Sequence, residues 1–180
     1  AEGIEDLPNV LCILYAQNEG SFLAGYIAAS MSETGVVGAV GGEDNDTIND
    51  FLIGYKEGAQ YANPDIKVVT NYANTYEDPA KGKECALALN SQGADVVFAV
   101  AGNTGNGVFA AAKEKGFYVI GVDQDQKLSA PEYDEQIICS MKKEVGTSVY
   151  DTVKALIEDD TWDGGRIWTA DMATGYVSMA

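Results

Sequence analysis

Residues 94–125 read ADVVFAVAGNTGNGVFAAAKEKGFYVIGVDQD, and this stretch decides the fold. It predicts a strand, a glycine-rich turn, a helix that ends at Gly116, and a second strand that ends on Asp123 and Asp125. The valine-rich runs are apolar on both faces, which is typical of parallel strands buried between helices. Because open α/β sheets bind ligands at the carboxyl ends of their strands, the stretch indicates where this protein binds a ligand.

The same alternation of strand and helix extends outward from this stretch. Asp78 followed by Pro79 is a strong helix start, because the carboxylate caps free N–H groups and proline fits the first helical position. The uninterrupted alternation up to Asp125 predicts an α/β fold with a doubly wound parallel sheet. The other predicted elements are strands 9–16, 35–42, 66–72, 135–141 and 166–170, helices capped by Ser21, by Asp46 or Thr47 and by Asp78, and a helix over 146–158.

The charge balance excludes several classes of partner. The 180 residues carry 28 acidic and 11 basic side chains, for a formal net charge of −17, and Arg166 is the only arginine. Such a chain repels nucleic-acid phosphates and anionic lipid, and a bound phosphate ester would lack its usual arginine clamp. We therefore expect no nucleic-acid partner.

Patterns typical of enzymes and metal sites are missing from the sequence. There is no histidine, no Gly-x-Ser-x-Gly elbow, and no Lys-Ser/Thr pair after the turn at 102–107 that would mark a triphosphate loop. Cys12, Cys85 and Cys139 lack metal-site spacing and are expected in the core. We expect no catalytic residue, no metal and no cofactor.

Several residues at predicted loop ends could contact a ligand, and each has a structural alternative. Asp123 could accept hydrogen bonds from a sugar diol, or it could be a solvated turn carboxylate. Tyr76 could stack on a base or a sugar, or it could cover the next helix. Asn103 or Thr104 could simply cap a helix, and Lys143 could be solvated.

Five motifs, in order along nearly the whole chain, carry a resemblance to a known family. They are EGSFLAGY at 19–26, VGAVGG at 37–42, DPAKGK at 78–83, VAGNTGNGV at 100–108 and GVDQDQ at 121–126. Together they resemble the basic membrane protein family, the purine-nucleoside-receptor-like substrate-binding lipoproteins of ABC transporters. The resemblance implies the periplasmic-binding-protein type I fold, in which two lobes of the ribose-binding-protein type close on a ligand.

The resemblance also implies which residues bind the ligand. Tyr76 lies where family members usually carry an aromatic residue, often Phe, that packs on the ligand. Gly102 and Asn103 lie in the binding loop that follows the buried strand. Asp123 matches the ribose-binding acid, and Lys143 matches a lysine on a crossover strand that reaches the ligand.

Compared with the family, the sequence lacks the N-terminal lobe, so we expect it to be part of a larger protein. By analogy, residues 1–16 are a junction and a hinge strand. Residues 17–135 and 165–180 form the C-terminal lobe. Residues 136–164 are a hinge strand and a helix of the missing lobe, and this uncovered helix could mediate homo-oligomer formation.

The resemblance therefore implies a binding protein rather than an enzyme. It would be the extracytoplasmic solute-binding component of an ABC transporter, lipid-anchored in its full-length form, which binds a nucleoside and works with a transporter permease. Two alternatives are the effector-binding core of a transcription regulator with the same fold and a receptor for another sugar-type solute. A sugar- or nucleotide-using enzyme domain is disfavoured, because a general base and a phosphate clamp are missing.

Overall fold

The computed structural model describes residues 3–180, which contain eight strands and six α-helices. In chain order they are β1 Leu11–Tyr15, α1 Gln17–Met31, β2 Val36–Gly41, α2 Asp46–Ala62, β3 Lys67–Tyr72, α3 Pro79–Ser91, β4 Val96–Val100, α4 Gly105–Lys115, β5 Tyr118–Asp123, α5 Gln126–Ser129, β6 Ile137–Lys143, α6 Val145–Glu158, β7 Arg166–Ala170 and β8 Val177–Met179.

Six of the strands form one sheet in the order β3-β2-β4-β5-β6-β8. All neighbouring pairs are parallel except β6 and β8, which are antiparallel. The chain passes from β2 to β3 on one side and then returns to place β4 on the other side of β2. The predicted parallel α/β sheet is therefore confirmed, and its topological switch point lies between β2 and β4.

Apolar side chains pack on both faces of this sheet. Along β4, Val96 and Phe98 pack with α1 and α2 residues on one face, while Val97 and Ala99 belong to a second cluster that includes Leu89 of α3. All five β4 residues are buried, because successive strand residues point to opposite faces and helices cover both. The continuous valine run of the sequence thus forms the centre of a three-layer α/β/α core.

Two of the helix starts differ from the predictions, while Asp78 caps α3 as predicted. Helix α1 begins at Gln17 rather than near Ser21, because Glu19 N–H already bonds to Ala16 O as the chain leaves β1. Helix α2 is capped by Asn45 rather than by Asp46 or Thr47, since Asn45 Oδ1 accepts a hydrogen bond from Ile48 N–H at 3.1 Å.

The predictions for the last third of the chain were partly wrong. Strand β6 runs over Ile137–Lys143, two residues later than predicted, so Lys143 ends the strand instead of following it. Strand β8 was not predicted, because it has only three residues and depends on antiparallel pairing with β6. Strand β7 pairs with β1 in a separate two-stranded sheet, so the pairing divides residues 165–180 between two sheets.

Helix α6 has an exposed apolar face. Val149, Val153 and Leu156 recur at helical spacing, and each exposes between two-fifths and half of its surface. The helix is tied to β1 by the Tyr15 and Ser148 hydroxyls, which lie 2.5 Å apart. Within residues 3–180, no helix combines the length and the apolar character that crossing a membrane requires.

Candidate functional site

The predicted site residues meet at the carboxyl edge of the six-stranded sheet, beside the switch point. A cleft of about 210 Å³ is lined by Tyr76, Gly102, Asp123 and Lys143, together with Phe51 of α2. A larger cleft of about 610 Å³ adjoins it, shares Gly102, Asp123 and Lys143, and reaches the start of α6. Four of the five predicted residues thus line one cleft.

The fifth predicted residue, Asn103, lies only in the larger cleft. Its Oδ1 accepts a hydrogen bond from Asn106 at 2.7 Å, and its Nδ2 donates weakly to Glu77 at 3.4 Å. Thr104 occupies the N-cap position of α4, but its side chain makes no capping hydrogen bond, and the Asn103 side chain makes none either, although capping was one alternative for both residues. The buried Thr104 hydroxyl instead accepts from Asp78 N–H at 2.9 Å and donates to Thr75 O at 3.2 Å.

Asp123 ends β5 in an unusual backbone conformation. Its φ of 68° is in the left-handed region, which is uncommon for residues other than glycine. Gln124 N–H donates to Val122 O at 2.8 Å across it, so Asp123 is the central residue of a γ-turn. This tight turn leaves the Asp123 side chain 53% exposed at the cleft, where a ligand can reach its oxygens.

Lys143 provides the positive charge of the smaller cleft. Its Nζ lies 2.8 Å from Asp123 Oδ1 and 5.1 Å from the centre of the Phe51 ring. An ammonium group at that distance from an aromatic face gains a cation–π attraction. Lysine, aspartate and phenylalanine therefore hold one another in place, yet Lys143 keeps donors and Asp123 keeps acceptors for further hydrogen bonds.

Two glycines let Tyr76 lie in the cleft wall. A Cβ at Gly42 would be 2.1 Å from Cε1 of the Tyr76 ring, a distance at which the two atoms overlap. Gly102 has a φ of +55° and faces the Cβ of Tyr76. The Tyr76 oxygen accepts a hydrogen bond from Asn45 Nδ2 at 2.9 Å, which holds the ring on the α2 side.

Phe51 is the site residue that sequence reasoning missed. It lies on the apolar face of α2, and it is almost fully buried like an ordinary core residue. Only its position beside Lys143 and the cleft, which depends on how α2 packs on the sheet, gives it a second role. Its aromatic type was the one signal that could have indicated this role.

The structure also bears on cofactors and thiol chemistry. Among residues 3–180, no three His, Cys, Asp or Glu side chains converge to hold a metal ion. The three cysteines are free thiols, and burial raises the pKa of Cys139 to about 11. Burial also raises the pKa of Cys85, so both thiols stay protonated near neutral pH and are poor nucleophiles.

A scan against protein-family models matches residues 2–180 to the family described as ABC transporter substrate-binding protein PnrA-like. The chain belongs to this family. Basic membrane protein D of Borreliella burgdorferi (strain JD1) is 42% identical over 171 residues, which cover 92% of the chain and 49% of that relative. The chain thus spans about half the length of the curated relatives it matches.

Solved structures agree with this assignment. A solute-binding protein of an ABC transporter system from Aeropyrum pernix K1 has a TM-score of 0.85 and 32% identity, over 96% of this chain and 50% of that one. A transcriptional activator of the comK gene from Bacillus halodurans has a TM-score of 0.81 and 25% identity, over 95% and 57%. The periplasmic-binding-protein type I fold and the resemblance to basic membrane proteins are both confirmed, and the family match does not favour the regulator alternative.

Proposed function

We propose that this PnrA-like chain supplies one lobe of a solute receptor for an ABC transporter and binds an uncharged nucleoside, preferably a purine nucleoside. The receptor is extracytoplasmic and lipid-anchored in its full-length form, delivers its ligand to a transporter permease, and is not an enzyme. The observation that carries the proposal is the cleft in which Asp123 and Lys143 lie beside two aromatic rings.

The chemistry of this cleft suits a ribose and a planar base. The Asp123 carboxylate has lone pairs for two neighbouring hydroxyl groups, and the Lys143 ammonium donates to oxygen or ring nitrogen. Phe51 and Tyr76 present aromatic surface in the same cleft, where a base or the apolar face of a sugar can pack. Gly102 lets the backbone approach the ligand closely.

The charge distribution favours an uncharged ligand over a phosphorylated one. Lys143 is already paired with Asp123, and the neighbouring Lys142 is paired with Glu144 at 2.7 Å. A nucleotide phosphate would therefore compete with two carboxylates for these lysines in a chain of net charge −17. An uncharged nucleoside adds no such repulsion.

The proposed lobe is built on the six-stranded sheet. Residues 17–135 and β8 belong to it, β1 and β6 serve as hinge strands, and α6 belongs to the other lobe. The pairing of β7 with β1 suggests that β7 lies with α6 rather than with the C-terminal lobe. The exposed face of α6 would then pack inside that other lobe.

Calorimetry on the full-length protein tests the ligand class. We expect inosine and guanosine to bind more tightly than their 5′-monophosphates, by at least tenfold. The isolated 180-residue chain should bind the same nucleosides far more weakly, because one lobe cannot enclose a ligand from both sides. Tighter binding of the monophosphates would contradict the proposal, as would full affinity in the isolated chain.

The uncovered α6 face of the isolated chain gives a separate test. If its apolar residues need cover, the 180-residue chain should self-associate in light scattering. Val153→Asp should then return it to a monomer, while Lys154→Asp, on the neighbouring position, should not. A monomeric wild-type chain at high concentration would contradict oligomer formation through α6.

A further inference from the structure

Two tyrosine–asparagine pairs join the start of α2 to the end of β3 and the loop after it, and their hydrogen bonds run in opposite directions. The Tyr72 hydroxyl donates to Asn49 Oδ1 at 2.6 Å. The Tyr76 hydroxyl oxygen instead accepts from Asn45 Nδ2 at 2.9 Å. The two phenols therefore differ in whether the hydroxyl hydrogen is still free to bond to a ligand.

Second partners fix the orientation of both amides. Asn45 Oδ1 is engaged by Ile48 N–H at the start of α2, so its Nδ2 must face Tyr76. Asn49 Nδ2 donates to Asp44 Oδ1 at 2.9 Å, so its Oδ1 must face Tyr72. Flipping either amide would set two donors or two acceptors against each other.

The Tyr72 hydroxyl donates its hydrogen to Asn49, whereas the Tyr76 hydroxyl does not donate its hydrogen to Asn45. Burial, with Asp44 nearby, raises the pKa of Tyr72, so this phenol stays neutral and keeps its bond to Asn49. The Tyr76 oxygen has accepted one bond, and no acceptor for its own hydrogen occurs within residues 3–180. Tyr76 lines the smaller cleft, and Tyr72 does not.

We propose that Asn45 is a positioning residue that makes Tyr76 a hydrogen-bond donor to the ligand. The bound compound then carries an acceptor beside the Tyr76 ring, such as a carbonyl oxygen or an unprotonated ring nitrogen of the base. This inference rests on the proposed nucleoside site and deepens it.

Binding measurements on the full-length protein test the direction of the bond. Tyr76→Phe removes the donor and should weaken inosine binding about three- to tenfold, the range for one neutral hydrogen bond. Asn45→Asp keeps the helix cap but turns the partner into an acceptor, which takes the Tyr76 hydrogen. It should weaken inosine binding to the same extent, and the double variant should lose no more than either single variant.

Matched controls separate this effect from charge and folding. Asn63→Asp makes the same chemical change at the far end of α2, and Tyr72→Phe makes the matching change in the other pair. Neither should alter inosine affinity by more than about twofold. Unchanged affinity in Tyr76→Phe, or additive losses in the double variant, would overturn the inference.

A ligand-free measurement distinguishes failure of the inference from failure of the nucleoside proposal. In 15N-labelled protein without ligand, Tyr76→Phe should shift the side-chain amide signals of Asn45 and leave those of Asn49 in place. Tyr72→Phe should do the reverse. If wild type binds none of inosine, guanosine and adenosine, the proposed function fails. If the side-chain amide signals of Asn45 do not shift in Tyr76→Phe, the proposed role of Asn45 in positioning Tyr76 is wrong.

Discussion

Two aspartates lie at opposite edges of the same sheet, and they differ in how their oxygens are used. Asp95, at the amino edge before β4, accepts hydrogen bonds from Ser32 Oγ at 2.6 Å, Glu33 N at 2.7 Å and Thr34 N at 3.0 Å. Asp123, the last residue of β5 at the carboxyl edge, has a left-handed backbone, and its carboxylate pairs only with Lys143 within residues 3–180.

The difference separates a structural carboxylate from one that is available to a ligand. Asp95 holds the α1–β2 connection against the sheet, and its acceptor capacity is largely used by its own chain. Asp123 pairs with Lys143, has a side chain that is 53% exposed with lone pairs to spare, and occupies a conformation that costs stability. The Asp95 carboxylate is thus used by its own chain, whereas the Asp123 carboxylate keeps acceptor capacity at the cleft, as the proposed ligand site requires.

The largest expected effect is at the amino edge. Asp95→Ala leaves one hydroxyl and two backbone N–H groups without their acceptor, and should lower the free energy of unfolding by about 2–4 kcal/mol. Denaturant unfolding measures this, and nucleoside affinity should change less than about twofold. Asp95→Asn, which keeps one acceptor oxygen, should lose roughly half as much. A loss below about 1 kcal/mol for Asp95→Ala would show that the Asp95 carboxylate does not hold the α1–β2 connection against the sheet.

The second effect concerns the packing that places Tyr76 at the carboxyl edge. Gly42→Ala puts a methyl group into the Tyr76 ring, which must move, and should cost about 1–3 kcal/mol of stability. Inosine affinity should fall at least tenfold in calorimetry. Gly146→Ala is the stability control, because a Cβ there meets no neighbour within 4 Å and a helical alanine should be neutral or stabilising. Wild-type inosine affinity in Gly42→Ala would contradict a role for Tyr76 in ligand binding.

A third effect tests the strain at Asp123. Glycine adopts a φ of 68° without steric cost, whereas alanine does not. Asp123→Gly should therefore be about 1 kcal/mol more stable than Asp123→Ala in denaturant unfolding. Both variants should lose the same amount of inosine affinity, because both lack the carboxylate. Equal stability of the two variants would argue against a strained turn.

The smallest effect concerns a third carboxylate, Glu144, which accepts hydrogen bonds from two partners, fewer than Asp95 and more than Asp123. Hydrogen bonds from Lys142 and Ser178 lower the pKa of Glu144. A lowered pKa means that its stabilisation is present above the unfolded-state pKa of about 4.3 and is lost as the pH falls through the folded-state value. Glu144→Gln should remove less than about 1 kcal/mol at pH 7 and nothing near pH 2. A loss that is equal at both pH values would contradict this linkage.

The parts of the fold that depend on local sequence could be predicted, and those that depend on tertiary pairing could not. The buried strand β4 and the Asp78 cap follow from a valine run and a capping residue that act within a few positions. Strand β8 depends on pairing with β6, and the Asn45 cap depends on how the chain leaves β2. Neither has a strong local signal.

The residues of the candidate site divide in the same way, into those that local sequence indicates and those that only tertiary packing places there. Asp123 and Gly102 were identifiable because they lie at the carboxyl ends of buried strands, which a parallel sheet brings together at one edge. Phe51 looked like any other core residue of an amphipathic helix, and only the packing of α2 places it 5.1 Å from Lys143. The direction of the Asn45–Tyr76 hydrogen bond depends on a cap and a ring that are 31 positions apart in sequence.

The most direct test of the account compares binding and folding in Asp123→Ala. Calorimetry with inosine on the full-length protein should show a loss of about 1.5–3 kcal/mol in binding free energy, the range for hydrogen bonds to a charged group. Denaturant unfolding of the same variant without ligand should change by less than about 1 kcal/mol. Wild-type affinity, or a stability loss as large as that of Asp95→Ala, would contradict the claim that the carboxyl-edge aspartate serves a ligand rather than the fold.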